Sequence, residues 1–144
     1  MQIKPKKRIL GTSSLAKPDF EDFLKYSDLF IQAGQYTNNG PCTQLLEMRL
    51  AKFHQSRFCV AFANGFWALV MTIEATKLKG KTEILIPSLT YRRMADLVSW
   101  AGLSPIYYDI DPMTLTGNSQ LIESKITKNT SAILGVHPIV NCFP

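Results

Sequence analysis

A chain of 144 residues, 46% of them hydrophobic, is long enough to bury a core and has the length of one ordinary domain. Its 16 basic and 11 acidic side chains leave a net charge of +5, which favours anionic partners without naming one. No 18 consecutive residues are apolar, which argues against a spanning helix, and Cys42, Cys59 and Cys142 are too few and too scattered for a disulfide framework or a zinc site.

The basic stretch Lys4 to Arg8 is followed by Ile9-Leu10-Gly11-Thr12-Ser13-Ser14, with no apolar run of signal-peptide length. A cytoplasmic, reducing location is expected. Behind Pro18, Phe20, Phe23, Leu24, Phe30 and Ile31 recur at helical spacing, with Asp19, Glu21 and Asp22 at the positive end of the dipole. The spacing predicts a helix over 18–33, stopped by Gly34. Gln35 to Pro41 contains Asn-Gly and Gly-Pro steps and reads as a loop. Leu46, Leu50 and Phe53 then mark a second helix over 42–54.

From Arg57 the pattern changes. Phe58-Cys59-Val60-Ala61-Phe62-Ala63 is a continuous apolar run, as expected of a parallel strand covered on both faces. Asn64-Gly65 leads into a helix over 66–78, and Glu83-Ile84-Leu85-Ile86-Pro87 reads as the next strand. Residues 90–101 read as helix, 105–110 as strand, 118–126 as helix and 131–136 as strand. Strands alternating with helices through four units imply parallel pairing with helical crossovers. The fold class is α/β, with a mostly parallel sheet.

In such sheets ligands bind beyond the carboxyl ends of the strands, where helix N-termini offer free amides. Four turns qualify. Asn64-Gly65-Phe66-Trp67 follows the first strand, and its glycine suits either a tight turn or the close approach of a phosphate. Neither G-x-G-x-x-G nor a P-loop is present. The second turn, Pro87 to Arg93, carries Tyr91, which can stack on a planar ring or belong to the core, and Arg92 and Arg93, which can pair with an anion or be solvated. Asp109 and Asp111 occupy the third turn, where Asp before Pro commonly initiates a turn. His137 lies in the fourth, with no second histidine near it. No metal site and no nucleic-acid module is indicated.

Thr37-Asn38-Asn39-Gly40-Pro41, Ala63-Asn64-Gly65-Phe66-Trp67-Ala68-Leu69, Ile86-Pro87-Ser88-Leu89-Thr90-Tyr91, Tyr108-Asp109-Ile110-Asp111-Pro112 and Gly135-Val136-His137 stand in fixed order. Together they resemble the successive landmarks of the DegT/StrS aminotransferases, which use pyridoxal phosphate (PLP) on the aspartate-aminotransferase fold. The resemblance implies a tail and helix over 1–34 and part of a PLP-binding large domain over 35–144. It makes Asn64, Gly65 and Phe66 the turn around the PLP phosphate and Tyr91 the aromatic over the pyridine ring. It also implies a homodimer, a keto nucleotide-sugar substrate and glutamate as amino donor, with neither nucleic acid nor membrane as partner. Phe66 departs from the usual threonine or serine, leaving only backbone amides there, and Arg92 and Arg93 depart from small or apolar residues.

In that family the aspartate that pairs with the pyridinium nitrogen and the Schiff-base lysine come later than anything matched here. None of Lys77, Lys79, Lys81, Lys125 or Lys128 has the family's lysine context. No catalytic residue is therefore assigned within these 144 residues, and the chain by itself is expected to be an inactive N-terminal fragment of a longer transaminase. A non-catalytic α/β module that binds a phosphorylated small molecule or a partner protein is the alternative.

Overall fold

The computed structural model describes residues 19–137, which divide between residues 61 and 62 into two compact units. The first holds α1 (Phe20–Ala33) and α2 (Pro41–Phe53). The Asp19 side chain starts α1 by accepting from the Glu21 and Asp22 amides at 2.9 and 3.1 Å, an N-cap that satisfies donors the helix cannot. Gly34 at φ +62° ends it, in the left-handed region that glycine enters without strain. Asn38 and Asn39, at φ 53° and 62°, turn the chain into α2, which opens with Pro41 in its first turn. Arg49 ties the two helices together: its Nη1 donates to the Tyr26 hydroxyl at 2.7 Å, and its guanidinium lies 5.1 Å from the Tyr26 ring centre.

The second unit contains α3 (Gly65–Thr76), β1 (Glu83–Pro87), α4 (Met94–Trp100), β2 (Ser104–Tyr108), α5 (Ser119–Glu123) and β3 (Thr130–Ile133). The strands form a parallel sheet in the order β2-β1-β3. Side chains alternate across a strand, and β1 uses both faces. Ile84 and Ile86 pack with Val70 and Ile73 of α3 and Leu97 and Val98 of α4, whereas Leu85 packs with Tyr108 and Ile122 of α5. Helices therefore cover both faces of the central strand, the arrangement parallel sheets require.

The four-unit alternation is corrected to three strands among the described residues. Phe58 to Ala63 adopts no strand, and Phe58 and Val60 are 72% and 67% exposed. A strand needs a neighbouring ladder for its backbone groups, and among the described residues this run has none; the Ala61 amide donates instead to the Glu47 carboxylate at 2.7 Å. The predicted helix over 90–101 begins only at Met94, because residues 88–93 form the turn after β1. The last strand stops at Ile133 rather than continuing to residue 136.

Candidate functional site

The turn between the apolar run and α3 is built around Asn64. Its backbone is extended (φ −161°, ψ 166°), and its side-chain oxygen accepts from the Trp67 amide at 3.2 Å. The Asn64 carbonyl accepts from the Ala68 amide at 3.3 Å. These bonds occupy the third and fourth amides of the helix, leaving those of Gly65 and Phe66 without a partner among the described residues. A Cβ added to Gly65 would meet nothing within 4 Å, so the backbone there is open to an approaching group. Two unpaired amides at the positive end of a twelve-residue helix are suited to hold an anion.

A cavity of about 350 Å³ lies against this helix start, lined by Asn64, Phe66, Trp67, Tyr91, Arg93 and Trp100. The turn after β1 contributes Tyr91, which is 62% exposed and whose carbonyl accepts from the Met94 amide at 2.9 Å. In the same turn the Thr90 Oγ1 is buried with no hydrogen-bond partner among the described residues, an unused donor of a kind rarely left in a folded core. The Trp67 and Trp100 rings meet edge to face with centres 5.4 Å apart, and Phe66 meets Trp67 in the same way at 5.5 Å. The Arg93 guanidinium lies 4.3 Å from the Phe66 ring centre, and its Nε is 3.5 Å from an Asp96 carboxylate oxygen.

The cavity thus brings together Asn64, Phe66 and Tyr91, three of the four positions singled out in the sequence, with Gly65 in the turn between two of them. Arg92, Asp109, Asp111 and His137 do not line it. Asp111 shapes its own turn, one carboxylate oxygen accepting from the Met113 and Thr114 amides at 2.7 and 3.3 Å. His137 stands exposed four residues beyond the end of β3. No group of three or more metal-ligating side chains occurs among the described residues.

Of the remaining lining residues, Trp67 and Arg93 belong to two of the four turns the sequence singles out, and Trp100 is the one that sequence reasoning missed. Arg93 is the N-cap of α4 and Trp100 its last residue, so the short helix that follows the turn carries Trp100 to the cavity.

The donor set suits PLP, whose phosphate needs N–H donors and whose ring needs an aromatic or apolar face. The two unpaired amides and Tyr91 supply both. Among the described residues no lysine lines the cavity. Lys77 is paired with Glu74 at 2.8 Å and reaches the Ala101 carbonyl at 3.2 Å, and Lys81 donates to the Lys128 carbonyl.

The chain is 37% identical over 120 residues to a dTDP-4-amino-4,6-dideoxy-D-glucose transaminase from Shigella dysenteriae, an overlap covering 83% of this chain and 32% of that protein. It is 38% identical over 112 residues to a UDP-2-acetamido-2-deoxy-3-oxo-D-glucuronate aminotransferase from Pseudomonas aeruginosa, covering 78% and 31%. Among solved structures, an E. coli GDP-4-keto-6-deoxy-D-mannose-3-dehydratase with bound hydrated PLP superposes with a TM-score of 0.71 at 25% identity, covering 86% of this chain and 33% of that one. The chain spans about a third of the length of the curated relatives it matches. Residues 19–142 match the DegT/DnrJ/EryC1/StrS aminotransferase family, and the chain belongs to that family.

Proposed function

We propose that this chain forms the phosphate- and ring-binding part of a PLP-dependent aminotransferase acting on keto nucleotide sugars. The observation that carries the proposal is the cavity in which the unpaired Gly65 and Phe66 amides and the Tyr91 ring occur together. PLP, when bound, supplies the electron sink for transfer of an amino group. Gly65 and Phe66 hold the phosphate through backbone N–H groups, with the α3 dipole adding to the attraction. Asn64 keeps the helix start in place by occupying the Trp67 amide. Tyr91 offers its ring to the face of the pyridine, and Trp67 and Trp100 exclude water from that side. The group that bonds the cofactor and moves protons at its reacting carbon is expected outside this stretch of chain, since no lysine among the described residues lines the cavity. The parent works as a homodimer with glutamate as amino donor. A reducing, cytoplasmic compartment fits the free thiols of Cys42 and Cys59.

Equilibrium dialysis of the chain against PLP, with quenching of Trp67 and Trp100 as a second readout, tests the cofactor site. Saturable binding of PLP, tighter than that of pyridoxal, is expected; an absence of saturable binding would overturn the reading. Borohydride reduction of the mixture followed by peptide mapping is expected to leave no single lysine stoichiometrically modified. One fully modified lysine would show that this stretch supplies the bonding group after all.

A further inference from the structure

We propose that Arg93 is a ligand for the phosphate of the cofactor, supplying with its guanidinium the side-chain contact that Phe66 cannot make. The inference rests on the cofactor reading above and concerns which groups of this chain grip the anion. Residue 66 carries two of the relevant features. Its amide, the second of α3, is unpaired, and its ring lies under the Arg93 guanidinium at 4.3 Å. A guanidinium stacked on a ring keeps its in-plane N–H groups directed outward from the stack. Arg93 is also tethered on one edge, where Nε lies 3.5 Å from Asp96. Of the five N–H donors an arginine carries, the four on Nη1 and Nη2 make no hydrogen bond among the described residues. Arg93 therefore presents a held, unspent fork to the same cavity that the helix start faces, the donor geometry that grips phosphate through two parallel bonds. An aromatic ring at position 66 is then the platform that orients a replacement for a lost hydroxyl.

PLP and pyridoxal differ only in the phosphate, so comparing their dissociation constants isolates this contact. In the wild-type chain PLP is expected to bind more tightly than pyridoxal. Arg93→Gln is expected to weaken PLP binding about tenfold and leave pyridoxal binding unchanged. Arg93→Lys, which keeps the charge without the fork, is expected to fall between the two, as is Phe66→Leu, which removes the platform. Melting temperatures of all three variants establish that the protein is folded where binding is measured, and Arg93→Lys carries the test if Arg93→Gln does not fold. Wild-type binding of PLP with undiminished affinity in Arg93→Gln would overturn the role of Arg93 while leaving the cofactor site standing. An equal loss for PLP and pyridoxal would overturn it too, because the contact would then not be to phosphate. Failure of the wild type to bind either compound would remove the cofactor reading and this inference with it.

Discussion

Tyr91 and Arg93 sit two residues apart in one turn and line the same cavity. Tyr91 is 62% exposed, and its structural contact is made by its carbonyl, which accepts from Met94 whatever the side chain. Truncating an exposed ring of this kind changes stability by no more than about 0.5 kcal/mol. Removing a stacking surface costs about 0.5 to 1.5 kcal/mol beyond area burial. Tyr91→Ala is therefore expected to weaken both PLP and pyridoxal binding several-fold with the melting temperature little changed, and Tyr91→Phe to retain most of the affinity. A fall in melting temperature with unchanged affinity in Tyr91→Ala would make the ring a packing residue instead. Local chain rules left a tight turn at Asn64-Gly65 and a core aromatic at Tyr91 open as readings, and only the family resemblance made Asn64, Gly65, Phe66 and Tyr91 candidates for the site. For Arg93 the sequence left two readings open, an anion partner or a solvated cation, and only the Phe66 ring beneath it favours the first.

At the scale of elements, capping residues fix where three of the helices start. Asp19, Asn64 and Asn118 each accept from amides two or three positions ahead, and Gly34 takes the left-handed cap. The apolar run Phe58 to Ala63 misled for a physical reason. Hydrophobicity reports that a segment needs covering, whereas strand formation needs a partner ladder, and a single chain's pattern does not say where that ladder is. The pairing of β2 with the α5 region was likewise invisible, since it depends on a close fit: a Cβ at Gly117 would stand 2.4 Å from Tyr108 Cε2. Tyr108 is fully buried, its hydroxyl donates to the Leu134 carbonyl at 3.3 Å, and burial raises its pKa above the ordinary 10.0. The folded protein thus holds the proton more tightly than the unfolded chain. The associated stability is fully present below pH 10 and is lost as pH rises from there through the folded-state value. Tyr108→Phe is expected to cost about 0.5 to 1.5 kcal/mol at neutral pH. Its deficit should shrink in denaturant titrations above the ordinary tyrosine value. A deficit that stays constant or widens in that alkaline range would assign the loss to packing alone.

Across the molecule, the alternation of strand and helix made the α/β class legible, but the extent of the sheet was not. The order β2-β1-β3 leaves the outer edges of β2 and β3 without a strand partner among the described residues. Unpaired edges present rows of N–H and C=O groups that pair with other chains. They occur together with exposed apolar side chains: Tyr107 on β2 is 52% exposed, Ile133 on β3 44%, Trp100 on α4 64% and Val60 in the unpaired apolar run 67%. Each alone is ordinary, but open edges combined with apolar surface mark a chain that gains by covering both. The 144-residue chain is therefore expected to bind a dye that reports exposed apolar surface, and to show a sedimentation coefficient that rises with protein concentration. Charge placed on the open edges should suppress that association without unfolding the central strand, because Ile84, Leu85 and Ile86 are at most 2% exposed and neither Tyr107 nor Ile133 belongs to the clusters that pack on them. Tyr107→Lys with Ile133→Lys tests this by putting a cation on each edge strand. The double variant is expected to sediment as a concentration-independent monomer with a cooperative melt. A wild-type chain that is already a monomer at every concentration and binds no dye would show that the edges and apolar residues are covered within the chain itself.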